Sequence, residues 1–157
     1  MMITARSSHL AAMTSPLDSR LSPRSLPFVL AVGLAAFLLL LAVRGWLAPL
    51  DAAHGFGIDL AAPVDAFYLY VKGDRDLTLT AILIALLVYR RPAPLALFVA
   101  AACVAPVIDG SLVAADPRGH AGYALAVHGS AAIYGVVTAA LLWRAHRPGP
   151  RAAAAEL

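Results

Sequence analysis

Four apolar stretches divide this chain, and each one brings an ionisable residue to membrane depth or ends on one. Ionisable side chains there are expensive, so they face a partner or a cavity rather than lipid. The first stretch runs from Leu26 to Val43 without a charge and ends at Arg44-Gly45-Trp46. About eighteen such residues suffice to cross the hydrocarbon core. Arg20 and Arg24 precede it, as in a secretory leader, but an h-region spans only about 7–15 residues. A retained span is therefore expected rather than a cleaved one.

The second stretch constrains the fold most. Leu77–Tyr89 is 13 residues, or about 20 Å of helix, against a core about 30 Å thick. To cross, the helix must extend upstream through Asp74, Arg75 and Asp76, starting near Pro63 or Asp65. Proline suits a first helical turn and an acidic residue complements a helix N-terminus. The third stretch, Pro94–Ala115, contains Pro106, which frees the carbonyl of Ala102 and predicts a kink just before Asp109. The fourth, Ala121–Trp143, carries His128 and is closed by Arg144. Trp46 and Tyr123 fall at one expected interface, Tyr89 and Trp143 at the other, as an aromatic belt requires.

Composition agrees with a bilayer. Of the 157 residues, 61% are hydrophobic and 13% charged, against about 45–50% and about 25% in soluble domains. The expected fold is an all-α bundle of four transmembrane helices, a multi-pass protein of the cytoplasmic (inner) membrane with the lipid bilayer as its first partner. Expected domains are a disordered cytoplasmic tail at 1–25, the helical domain at 26–147 and a second tail at 148–157. Arginines at 6, 20, 24, 90, 91, 144, 147 and 151 share one side of this arrangement; Asp51, Asp59, Asp65 and Asp116 with Arg118 share the other. Positive residues mark the cytoplasmic face, so both termini are expected inside and the loop from Leu47 to Ala62 outside.

Counting from the cytoplasmic end of each span brings the polar residues to one depth. Arg75 is 15 residues from Arg90, Asp109 is 15 from Pro94 and His128 is 16 from Arg144. Arg44 lies at a similar height, so all come out at about 22–30 Å. The expected buried polar cluster is Arg44, Arg75, Asp76, Asp109 and His128. Neighbours on a helix do not share a face, so Arg75 is expected to pair with Asp109, and Asp76 with Arg44 or His128. Arg44 has a second reading, snorkelling to the interface.

Several chemistries find no support. One cysteine, Cys103, excludes an internal disulfide and multi-cysteine metal sites, and its place in an apolar stretch suits an inert thiol. No second His or Cys stands at ligand spacing to His128, so no metal is expected. His54 and His120 fall in outer loops and read as solvated. Basic residues form no clustered stripe, which excludes a nucleic-acid surface. No glycine loop for phosphate and no nucleophile elbow occurs, so no cofactor is expected. Ala131 and Gly135 have the spacing of a small-residue packing face.

Arg44-Gly45, Pro49, Phe56-Gly57, the run Tyr70-Val71-Lys72-Gly73-Asp74-Arg75-Asp76-Leu77, Asp109 and His128 together resemble a small four-span membrane family of unknown function. That family occurs in bacteria and fungi and is similar in layout to DoxX-like membrane proteins. The resemblance covers Leu26 to Arg144; it implies the fold and the polar layer and assigns no reaction. Three functions stay open. The leading expectation is a protein that binds a small lipophilic molecule or a partner subunit at the cluster. The alternatives are a membrane-embedded enzyme with Asp109 and His128 as acid and base, and proton-coupled transport. A homo-oligomer is compatible with all three.

Overall fold

A computed structural model of the chain describes residues 20–147. Among them the secondary structure is helical, with α1 at Leu26–Leu47, α2 at Pro49–Phe56, a 3₁₀ turn at Pro63–Ala66 and α3 at Phe67–Tyr89. Then follow α4 at Pro92–Ala102, α5 at Val104–Ala115 and α6 at Ala121–His146. Extended pairing among the described residues is confined to one isolated bridge, Ile58 with Gly119. Three segments are long and apolar enough to cross a membrane: α1, α4 with α5 taken together, and α6. α3 matches them in length at 23 residues but carries Lys72, Asp74, Arg75 and Asp76.

Local chemistry sets the boundaries. Proline occupies the first turn of α1, α2 and α4, where its missing N–H is no loss. Pro49 also stops α1, because the residue before a proline is driven out of the helical region; Ala48 there has φ −142° and ψ 65°. α3 ends on Arg90 in the left-handed region, φ 55°, with its N–H donating to the Leu86 carbonyl. The third apolar stretch breaks at Cys103, between α4 and α5. Pro106 lacks the N–H that would bond Ala102, and its ring crowds that carbonyl. The interruption therefore lies a turn upstream of the place just before Asp109 that the sequence predicts.

One further difference concerns a loop. The loop expected at 47–62 contains α2, which closes on Gly57 at φ 103°, a left-handed cap that favours glycine. Most of the expected tails, 1–19 and 148–157, lie outside the described residues. Of the described residues of the first tail, Leu21 is buried and its N–H donates to the Arg90 carbonyl at 2.8 Å, while Arg20, Ser22, Pro23 and Arg24 are exposed.

α1 packs antiparallel on α3, and α6 on α4 and α5. Ala31 and Ala35 of α1, Leu83 and Leu87 of α3, Leu95 and Val99 of α4, and Ala139 and Leu142 of α6 form one core at the end nearest Arg90. At the opposite end Ile58, Val113 and Ala124 form a smaller core under Phe56 and Leu60. The outward faces are apolar as well, with Leu40, Val88, Leu97, Leu125 and Ile133 all exposed. An apolar exterior around a partly polar interior inverts the soluble arrangement and matches a lipid surround. Close approach of small residues, rather than the hydrophobic effect, then holds such helices together.

Candidate functional site

Where α1, α3, α5 and α6 face one another toward the α2 end, the side chains turn polar. Arg75 donates through both Nη atoms to Asp109, 3.0 Å to Oδ1 and 2.7 Å to Oδ2. This bidentate fork is the strongest geometry available to a guanidinium and a carboxylate. Asp76, 2% exposed, accepts from Arg75 Nε at 3.2 Å and from Lys72 Nζ one helical turn earlier. Thr80, also buried, donates back to the Asp76 carbonyl at 2.7 Å. Arg75 thus links two buried carboxylates on different helices.

His128 stands beside this chain of charges. Its Nε2 lies 3.0 Å from the Phe56 carbonyl, and a carbonyl only accepts, so Nε2 carries the proton and Nδ1 has a free lone pair when the ring is neutral. The Phe56 ring meets the imidazole edge-on, centroids 4.8 Å apart, and takes Lys72 Nζ 5.4 Å from its centroid. α2 therefore places one aromatic ring as a cover over both groups. Gly110 makes this possible on α5, since a Cβ there would sit 2.9 Å from His128 Cβ.

Beneath the cover lies a cleft of about 670 Å³, within the range of small-molecule sites. Arg44, Lys72, Arg75, Asp76, Asp109 and His128 line one end, and Leu34, Leu38, Leu41, Val99, Ala131 and Gly135 belong to the apolar remainder. Cys103 also faces it, with Sγ donating to the Val99 carbonyl. The Tyr134 hydroxyl donates to the Leu30 carbonyl at 2.8 Å, and Gly33 leaves room for that hydroxyl. This contact closes the far end.

All five residues singled out in the sequence line the cleft; Arg75 and Asp109 form the expected pair, and the partners of Asp76 differ. Asp76 bonds to Lys72 and Arg75, not to Arg44 or His128. Arg44 is exposed at the rim and donates to the Asp51 carbonyl at 3.3 Å. Lys72 and Phe56 were not foreseen as site residues. The i, i+4 spacing of Lys72 and Asp76 is a usable signal; Phe56 belongs to the family-like pattern, but nothing in the sequence sets its ring over His128 and Lys72.

His54 and His120 are both exposed, as expected, but His54 lies in α2 and both bond to one carboxylate. Asp59 accepts from His54 at 2.9 Å and His120 at 2.8 Å, and those bonds hold its carboxyl below the usual carboxylate range. His120 N–H donates to the Gly57 carbonyl, and Asp59 N–H to that of Arg118. Asp116 is held down to about 2 by the Arg118 guanidinium and backbone N–H. The loop after α2 and the loop before α6 are thereby tied together.

A family model described as "Domain of unknown function (DUF4267)" matches residues 35–142, a stretch that contains every residue of the polar cluster. The chain belongs to this family. Neither the curated proteins nor the solved structures contain a match to it. The family match thus identifies the kind of chain and leaves its activity to the geometry.

Proposed function

We propose that this member of the family is a four-span membrane protein, both ends cytoplasmic, that binds a small lipophilic molecule in the cleft. The observation that carries the reading is the cleft's two-part lining, apolar along most of its length and polar at the end under Phe56. Ligand sites combine a mostly apolar wall with a few convergent polar groups in just this way. Four spans are favoured because the Ile58–Gly119 bridge and the His54–Asp59–His120 bonds join the loop after α2 to the loop before α6. If α3 did not cross, those two loops would lie on opposite sides of the membrane. The layout is the one suggested by the resemblance to DoxX-like proteins, and the arginine distribution orients it in the cytoplasmic membrane.

The bonding around Asp109 favours binding over acid–base catalysis. Both oxygens accept from Arg75, and the one His128 proton is directed at a backbone carbonyl. The pair is arranged to hold position rather than to pass a proton to a substrate.

Native mass spectrometry of the protein purified in mild detergent tests this, with Ala131→Phe filling the apolar part of the cleft. The expected result is a bound small molecule on the wild type that is lost from Ala131→Phe while the melting temperature stays within a few degrees. A wild type that remains empty after incubation with total lipid extract, or a variant that retains the adduct, overturns the proposal.

A further inference from the structure

Resting on that binding reading, we infer that the cleft takes a single-chain amphiphile with one anionic oxyanion head. The head, a carboxylate or a phosphate, sits on Arg44, and the molecule is admitted sideways between α1 and α6.

Charge at the polar end supports an anion. Three cations and two carboxylates line the cleft. Arg75 is taken by Asp109 and Asp76, and Lys72 by Asp76. Arg44 forms no ion pair among the described residues, and its one side-chain hydrogen bond goes to the Asp51 carbonyl. A guanidinium has five N–H donors in a planar fork that matches an oxyanion. One positive charge therefore remains uncompensated at the polar end of the cleft, with most of its donors unused.

The route follows from which lining residues are exposed. Gly33, Phe37, Arg44, Ala126, Ser130 and Tyr134 are the exposed members of the lining, and every one belongs to α1 or α6. The cleft thus opens through the seam between those helices, above the Tyr134–Leu30 contact that closes its far end. On a four-span protein that seam faces lipid, so a ligand dissolved in the bilayer enters without crossing water. From Gly33 to Arg44 is eleven residues on one helix, or about 16 Å. That length accommodates one medium alkyl chain below a head on Arg44, and the volume suits one chain rather than two.

Thermal-shift titration of the full chain in nanodiscs of zwitterionic phospholipid tests the inference, using dodecanoate, dodecyl phosphate and neutral dodecanol on wild type, Arg44→Gln and Arg44→Lys. The expected result is that at least one anion binds the wild type about tenfold more tightly than dodecanol. This is the scale of one charge-assisted hydrogen bond. Arg44→Gln should abolish that preference, and Arg44→Lys should keep part of it, which also guards against a variant that misfolds. The stronger of the two anions then separates a carboxylate source from a phosphate source. Dodecanol binding as tightly as both anions, or an anion preference that survives in Arg44→Gln, overturns the anionic head while leaving the cleft reading standing. Failure of all three probes to bind wild type overturns this inference; the extract-loaded wild type and Ala131→Phe then decide the cleft reading separately.

Discussion

At Asp109 both carboxylate oxygens accept from one guanidinium, and the consequence of losing that carboxylate follows from charge. Removing one partner of a buried pair leaves the other uncompensated and costs about 3–5 kcal/mol when both are fully enclosed. The Arg75 side chain is 38% exposed and keeps Asp76, so the cost for Asp109→Asn should be lower, about 2 kcal/mol. Thermal melting of the purified variant should show a clear drop, with Asp109→Glu recovering part of it. A melting temperature equal to wild type in Asp109→Asn means the pair does not hold the helices. Much of this layer was legible from the chain. Counting residues from the Arg90 and Pro94 ends of their helices puts Arg75 and Asp109 at one height, and the two side chains meet. Depth says nothing of rotation about a helix axis, however, and so the partners of Asp76 and the outward turn of Arg44 were not readable. Lys72 was legible from its spacing to Asp76 alone, once α3 was known to be helical that far upstream.

Between elements, the most extensive contact is that of α1 with α3, and glycine brings the two helices close. A Cβ on Gly45 would stand 2.9 Å from the Leu69 carbonyl oxygen, and one on Gly73 would stand 2.7 Å from Trp46 Nε1. The two differ in what must yield. Leu69 O is backbone within a helix and cannot retreat alone, so Gly45→Ala must part the helices. Trp46 is a side chain at the surface, bonded to the Tyr70 carbonyl at a long 3.4 Å, and can swing away, which leaves only the Ala42 carbonyl oxygen at 3.3 Å to give by a few tenths of an ångström. Overpacking typically costs about 1–3 kcal/mol; Gly45→Ala should fall in that range and Gly73→Ala clearly below it. Chemical unfolding of the two variants in mixed micelles checks the order, and the reverse order would place the close contact elsewhere. The sequence shows both glycines, but nothing in it says that Gly45 and Gly73 meet across the two helices. α2 shows the opposite case. Pro49 at its start and Gly57 just past its end are ordinary helix punctuation, yet a search for apolar spans passes over an eight-residue helix with Asp51 and His54 in it.

For the whole molecule, the question is whether α3 crosses, because its four charged residues count against it on hydropathy while its packing along α1 favours it. Leu83 and Leu87 share a core with Ala31 and Ala35 of α1 at one end, and Gly73 touches α1 near Trp46 at the other. α3 therefore runs the length of α1. Of its charged residues, Lys72, Arg75 and Asp76 turn toward the cleft, where each has a partner, and Asp74 remains exposed in the second turn. Hydropathy sums charges whichever face they take, which is why it marks three spans and the proposal of a fourth rests on length and packing. Four crossings place Ala61 and Arg147 on opposite sides of the membrane, whereas three place them on the same side. Single cysteines at these exposed positions, Ala61→Cys and Arg147→Cys in a Cys103→Ala background, separate the two. A membrane-impermeant maleimide added to intact cells should label Ala61→Cys at once and Arg147→Cys only after permeabilisation. Labelling of both on intact cells would mean that α3 lies along the membrane, and the tie between the Ile58 and Gly119 segments could not then form in the bilayer.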